Sequence, residues 1–295
     1  MVNTCKPEEQ TSDEYSRGKE IFIRVKNLTY IYNSGSSREQ TALKNVDLDI
    51  YKGEFLALVG ANASGKSTLA RHFNALLMPT VGTVTVDGMD TAKAEYLWDI
   101  RRRVGMVFQN PDNQIVSSLV EEDVAFGVEN LGLPSGQVRA RVEEALSLTG
   151  LSEFRQHAPN MLSGGQKQRL AIAGVLAMQP DCLVLDEPSS MLDPAGRREL
   201  TEIILDLNRS KGVTVILATH YMEEAALAHR VQVMSAGEIL LSGTPAEVFR
   251  DEKLVQSVGL ELPFTAKIAH RLRRRGILLP EGIVDLKDLV SYLCR

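Results

Sequence analysis

The sequence predicts an α/β protein built around a mainly parallel central sheet. Short apolar runs alternate with stretches of helical period along most of the 295 residues. A glycine-rich turn, Gly60-Ala-Asn-Ala-Ser-Gly-Lys-Ser-Thr68, joins the apolar run of residues 55–59 to an amphipathic stretch over 69–77. A second apolar run, residues 183–185, ends in two adjacent carboxylates, Asp186 and Glu187, followed by Pro188.

Taken in order, residues 1–19 are polar and charged without periodicity, which predicts a loose tail. Residues 21–32 and 42–59 read as strands, and 83–87 alternates before the turn signal Asp87-Gly88. Residues 104–108 form another short strand. From about 115 to 160 the period becomes helical: Val138, Val142, Ala145 and Leu146 share one face, and Gly150 stands where a helix would stop. That block interrupts the alternation and is a candidate subdomain. Alternation resumes with the strand at 183–185. Asp193-Pro194 opens a helix through Leu200, Ile203, Ile204 and Leu207, which Gly212 closes. Residues 213–217 are a strand, and 231–234 and 238–241 a hairpin around Ala236-Gly237. Thr244-Pro-Ala-Glu247 is a capping box with proline at the first helical position. Beyond about residue 256 lies an extension with short helices near 265–275, stopped by Gly276, and near 286–293.

Composition narrows the function classes. The chain is 44% hydrophobic and 24% charged, and no apolar run reaches the roughly 18–20 residues a bilayer span needs. It opens with no apolar leader. A net charge of −5 argues against bulk nucleic-acid binding, which needs a basic face. Cys5, Cys182 and Cys294 lie far apart and form no disulfide or metal framework, as expected in a reducing cytosol.

The turn at residues 60–68 carries the first chemistry. A glycine-rich loop at a helix N-terminus aims unpaired N–H groups at one point, where they suit a phosphate chain. Gly60, Asn62, Ser64, Gly65 and Thr68 frame that loop. Lys66 adds a full charge for the β- and γ-phosphates, and the Ser67 hydroxyl is a ligand for Mg²⁺. Asp186 and Glu187, at the end of a buried strand, suit metal holding and activation of water respectively. In Leu162-Ser163-Gly164-Gly165-Gln166, Ser163 is placed to cap a helix over 167–178, with the glycines exposing N–H groups at its positive end. A phosphate loop and a second anion-binding tip in one domain are most simply explained if they act on one nucleotide from opposite subunits.

The order of phosphate loop, Gln109 after a strand, LSGGQ, the Asp186-Glu187 pair and His220 after a strand resembles the ATP-binding-cassette ATPases over residues 21–250. The resemblance implies a P-loop NTPase (RecA-like) core, an antiparallel β subdomain, a helical signature subdomain and a small C-terminal helical extension. It implies a tail over 1–19, an ATPase domain over 20–255 with its helical part at about 115–165, and an extension over 256–295. By the same resemblance Gln109 touches Mg²⁺ or the attacking water, His220 contacts the γ-phosphate, and Asp193 links two sites across a dimer. Tyr32 aligns with the ring that stacks on adenine, with Tyr30 as its rival. Lys66, Gln109, Glu187 and His220 are then the catalytic set. Ser67, Gln109 and Asp186 are the metal set, and ATP with Mg²⁺ are the cofactors.

A narrower resemblance rests on Phe108-Gln-Asn-Pro-Asp-Asn-Gln114, Val120-Glu-Glu-Asp-Val-Ala-Phe-Gly127, Glu129-Asn-Leu-Gly-Leu-Pro134 and the stretch Ser190-Met-Leu-Asp-Pro194. With Leu262-Pro-Phe264 and Leu279-Pro-Glu-Gly282, these are similar to the ATPases of energy-coupling factor transporters, the first paralogue more than the second. That implies uptake of vitamins or transition-metal ions, at the cytoplasmic face of the membrane. The implied partners are a second cassette (paralogue or self), a membrane coupling protein and a substrate-binding membrane component, with no nucleic acid. Cassettes of DNA repair or translation, and a low-turnover regulatory cassette, are the rival readings. Ala63 departs from the glycine many relatives carry, which strains the loop if that position needs positive φ. The runs Arg101-Arg-Arg103 and Arg271-Leu-Arg-Arg-Arg275 read as solvated helix ends. For the second, a partner contact is the alternative, because the extension of the family helps hold two ATPases together.

Overall fold

Strand β3 (Phe55–Val59) is buried along its whole length, and the fold is arranged around it in the computed structural model, which describes residues 18–294. It lies inside a six-stranded sheet with β6 (Val104–Val107), β7 (Cys182–Asp186), β8 (Thr214–Thr219), β9 (Arg230–Ser235) and β10 (Glu238–Gly243), in the order β10-β9-β3-β8-β7-β6. All pairings are parallel except the β9–β10 hairpin. That hairpin turns through Ala236 and Gly237, both at positive φ. A second, antiparallel sheet has the order β2-β1-β4-β5, from β1 (Ile21–Tyr32), β2 (Gln40–Tyr51), β4 (Val81–Val86) and β5 (Met89–Asp90). The stretch expected as strand over 42–59 is thus two strands, parted by a turn with Gly53 at φ 68°. Asp87 and Gly88, both at positive φ, form the tight turn their sequence predicts.

Parallel strands covered on both faces read as unbroken apolar runs. Alternate side chains of β3 enter two cores: Phe55, Ala57 and Val59 one, Leu56 and Leu58 the other. The second core is closed by the antiparallel sheet and by α1 (Lys66–Phe73), through Leu69 and Phe73. The first is closed by a helical block, α3 (Val120–Glu129), α4 (Ser135–Leu148) and α5 (Gly164–Ala177), and by α6 (Pro194–Lys211). Each Leu or Phe buried this way contributes about 1.5–3 kcal/mol over exposure, so β3 cannot shift register without loss on both sides.

Several boundaries move. Helix α2 (Leu97–Arg103) ends in the first basic run, as the reading of a helix end expects, but that end has structural work. Arg103 pairs with Asp87 at 2.7 Å and Asp181 at 3.4 Å, and Arg101 donates to the Ala75 carbonyl at 3.1 Å. Helix α5 starts at Gly164 rather than Lys167, because a reciprocal capping box between Ser163 and Gln166 draws both glycines into the first turn. Asp193 caps α6 and Gly212, at φ 68°, ends it. After α7 (Met222–Ala225), the Thr244–Glu247 capping box opens α8 (Pro245–Val248), followed by α9 (Glu252–Ser257), α10 (Phe264–Arg274) and α11 (Leu286–Leu293). The Phe264 N–H donates to Glu223 on α7 at 3.3 Å and Ala266 enters the first core, which fastens the extension to the sheet. In the second basic run Arg274 pairs with Glu252 at 2.6 Å. The tail expected over 1–19, up to residue 17, and Cys5 lie outside the described residues. No helix of the described residues is long and apolar enough to cross a membrane.

Polar groups at the foot of β3 tie the two sheets together. Arg230 donates from Nε to Glu54 Oε1 at 2.8 Å and from Nη2 to the Asp49 carbonyl, while Glu54 Oε2 accepts from the Tyr51 N–H at 2.8 Å. Both side chains are buried, and burial pushes the Glu54 carboxyl above its usual range against the pull of Arg230. Losing one partner would strand the other charge, at about 3–5 kcal/mol. Beside this pair, His229 Nδ1 accepts from the Phe55 N–H at 2.9 Å, a bond only the unprotonated nitrogen can make. Burial lowers the pKa of His229 and of His72. The unfolded chain therefore takes up these protons first, and stability falls as pH drops from about 6.5 through the folded values. The urea midpoint should drop between pH 7 and pH 5.5, and drop less in His229→Gln. Equal losses in both proteins would remove His229 from the acid response.

Candidate nucleotide site

Strands β3, β8, β7 and β6 are parallel neighbours, so their carboxyl ends deliver four loops to one edge of the sheet. Those loops carry Gly60–Thr68, His220, Asp186 with Glu187, and Gln109. They open into a cleft of about 1220 Å³ that also takes in Tyr32, the start of β2 and the Gly237 turn.

The phosphate loop is built by close backbone approach. A Cβ on Gly60 would lie 2.4 Å from the Met234 carbonyl oxygen, and one on Gly65 would lie 3.0 Å from the Ala42 oxygen. Gly65 precedes α1 at φ 107°, a conformation side chains resist. Ala63 sits at φ 61°, so the departure foreseen from sequence is a strained residue. Lys66 is buried and donates from Nζ to the carbonyls of Gly60 and Ala61 at 2.9 and 3.2 Å. Ser67 Oγ donates to Asp186 Oδ1 at 2.7 Å. Burial raises the Asp186 pKa, with the Ser67 bond opposing.

Glu187 is the point of convergence. It sits at φ 49°, its N–H held by the Ala218 carbonyl at 2.9 Å. Its carboxylate accepts from Gln109 Nε2 at 3.0 Å, and lies 3.3 Å from His220 Nδ1 and 3.6 Å from Lys66 Nζ. Three residues named from sequence thus meet at the carboxylate of a fourth. Chemically, this is a cation, an anion cradle and a carboxylate base within reach of one another. Among the described residues no group of three or more His, Cys, Asp or Glu could hold a metal. Ser67 and Asp186, 2.7 Å apart and beside the cleft that Gln109 also lines, offer the hard oxygen donors that a magnesium ion would take.

The two tyrosines part company. Tyr32 lines the cleft and its hydroxyl lies 3.2 Å from Thr68 Oγ1. Tyr30 is wedged edge-on against Tyr32 and His72 and packs on the second core, outside the cleft. Ser163, Gly164, Gly165 and Asp193 do not join this site. They line a separate cleft of about 480 Å³, with Gln166 spent on the cap of α5. Sequence reasoning overlooked Tyr221, Lys44, Gly237 and residues 259–262, which also face the main cleft. A tyrosine adjacent to His220 was the one available hint. The others arrive from a hairpin turn and the extension, which local patterns do not place.

The fold and this arrangement define a nucleotide-binding cassette ATPase. Residues 43–190 match the family described as ABC transporter. The energy-coupling factor transporter ATP-binding protein EcfA1 of Caldanaerobacter subterraneus is 53% identical over 93% of this chain and 99% of its own length. Its namesake in Symbiobacterium thermophilum is 54% identical over 93% and 97%. CbiO1 from Clostridium perfringens, described as part of the ABC transporter complex cbiONQ, has a TM-score of 0.72 at 38% identity, covering 85% of this chain and all of that one. The dimeric cassette MJ0796, bound to ADP and Pi, has a TM-score of 0.70 at 34% identity over 75% and 98%. The chain belongs to the ABC transporter family.

Two outcomes follow from the strain and the buried charge. Ala63→Gly should raise Tm by about 2 °C in a thermal melt, having relieved roughly 1 kcal/mol; a lowered Tm would contradict the strain. Because the folded Asp186 pKa is raised, the unfolded chain loses that proton first and stability declines as pH rises above the ordinary range near 3.9. Asp186→Asn should therefore match or exceed the wild-type urea midpoint at pH 8 while losing turnover. A lower midpoint would show the charge to be stabilising.

Proposed function

We propose that this chain is the ATP-hydrolysing subunit of an energy-coupling factor importer. The observation that carries the proposal is the division of the site. Phosphate loop, carboxylates and His220 share one cleft, the signature tip and Asp193 share another, and only a second cassette can bring a tip onto a phosphate loop. The dimeric cassette with ADP and Pi supports this reading, as do relatives named for energy-coupling factor transport.

The loop N–H groups and Lys66 bind the β- and γ-phosphates, and the Tyr32 ring stacks on adenine. Asn62, Ser64, Gly65 and Thr68 shape the loop around them. Magnesium would supply neutralisation of phosphate charge, and Ser67 and Asp186 would hold it, with Gln109 in the same cleft. Glu187 takes the proton of the attacking water on its carboxylate, while Gln109 and His220 hold that carboxylate and the γ-phosphate in line. The partner cassette's tip closes over the γ-phosphate with N–H groups at a helix N-terminus. Closure and reopening move a membrane coupling protein seated near Gln109 and the block α3–α5. A substrate-binding membrane component selects the vitamin or transition-metal ion. The chain then sits peripherally at the cytoplasmic face, held by its membrane partners.

Glu187→Gln should keep ATP binding and lose roughly 10²–10⁴-fold in turnover, measured as phosphate release beside nucleotide affinity. Near-normal release would take Glu187 out of the mechanism. Affinity purification of the tagged chain from detergent-solubilised membranes should recover a polytopic coupling protein, a second cassette and a small membrane protein. Recovery of soluble partners only would favour a cassette outside transport.

A further inference from the structure

His220 occupies an exposed loop end, with 40% of its side chain accessible, yet its ring must be held against Glu187 to be of use. Two residues outside the signature motifs are arranged to hold it. The Tyr221 ring lies 4.2 Å from the His220 ring, tilted by 38°. The Arg197 guanidinium carbon lies 3.4 Å from the Tyr221 ring centroid, a stacking distance. Arg197 Nε is buried and hydrogen-bonds to no group among the described residues, so this nitrogen is not there to complete an ion pair. We infer that Arg197 and Tyr221 are positioning residues for hydrolysis: the guanidinium stacked on the tyrosine ring holds the His220 imidazole at Glu187 and ties it to the Asp193 turn. The inference rests on the reading of His220 and Glu187 given above.

The rest of the segment is fixed from below. The Tyr221 N–H donates to Thr219 Oγ1 at 3.0 Å, and that hydroxyl donates to the buried Glu224 carboxylate at 2.5 Å. Arg197 is near enough to Glu224 for its charge to oppose the upward push that burial gives this carboxyl. What remains free to vary is the stack, and its far end belongs to α6. The Arg197 N–H donates to the Asp193 carbonyl at 3.0 Å, and the Gly196 N–H to Asp193 Oδ1 at 2.8 Å. Asp193 lines the cleft that holds Ser163 and its glycines, the face offered to the second cassette. A partner pressing on the Asp193 turn therefore moves Arg197, then Tyr221, then the His220 ring. The subunit's own site senses whether the dimer has closed through one cation and two rings. Nucleotide binding itself does not depend on the stack, because Lys66, the loop N–H groups and Tyr32 carry it.

The test is steady-state ATP hydrolysis by the full chain in its transporter complex, with Tyr221→Leu, Tyr221→Phe, Arg197→Met, His220→Ala and the double variant His220→Ala/Tyr221→Leu. Tyr221→Leu and Arg197→Met should lower kcat about 10-fold and leave KM within about twofold, because an interaction of the hydrolysis step alone is lost. Tyr221→Phe keeps the ring and should stay within about twofold of wild type. The double variant should be no slower than His220→Ala, since residues acting as one unit are not additive. Wild-type turnover in Tyr221→Leu, or losses that multiply in the double variant, would overturn the inference and leave the ATPase reading standing. Wild-type turnover in His220→Ala would overturn the role of His220 itself, and this inference with it. If Tyr221→Leu fails to fold, Arg197→Lys, which keeps the charge and loses the planar stack, takes its place with the same expected fall in kcat.

Discussion

Everything at the site depends on the parallel pairing of β3 with β8, β8 with β7 and β7 with β6. Neighbouring strands lie about 4.8 Å apart, so four strands running the same way bring their outgoing loops within reach of a single phosphate chain. Gln109 and Lys66, like His220 and Gly60, lie far apart in the chain and line one cleft only because these strands share an edge. The two cores on either side hold β3 in register, and the buried Arg230–Glu54 pair anchors its foot to the antiparallel sheet. Rigidity at one end of the strand is what allows a strained loop at the other.

Function here runs against stability in identifiable places. Lys66 and Asp186 are buried charges, and Ala63 and Glu187 hold positive φ. A sequence chosen for stability alone would avoid each of them. The buried charges are instead gathered at one cleft, where on the proposed reading the Lys66 cation meets a phosphate chain and the Asp186 carboxylate a divalent ion. His220 is the exception, part-exposed at a loop end and flanked by the Tyr221 ring, on which Arg197 stacks, rather than buried.

The division into two half-sites separates intrinsic from assembled chemistry. Ser163 and Asp193 line a cleft apart from the chain's own phosphate loop. On the proposed reading, hydrolysis reports on the pairing of two cassettes and mechanical work follows from it. The extension, fastened to α7 through Glu223 and Phe264, reaches the rim of the main cleft.

Much of this was readable before any fold was known. The phosphate loop, the Asp186-Glu187 pair and the Ser163 cap are encoded by residue type at fixed local spacing, because helix ends and strand ends impose those spacings on any chain. The turn at Asp87-Gly88 and the caps at Asp193, Gly212 and Thr244 were legible for the same reason. Only the tertiary structure showed that Tyr32 lines the cleft while Tyr30 packs on the second core, since residues two apart on a strand share a face and local pattern cannot rank them. It alone showed that Ala63 is strained, that α5 begins at Gly164, and that Arg103 serves the fold. It alone brought Arg197 beneath Tyr221. Those facts depend on which distant backbone passes close by, and distance along a chain carries no record of approach in space.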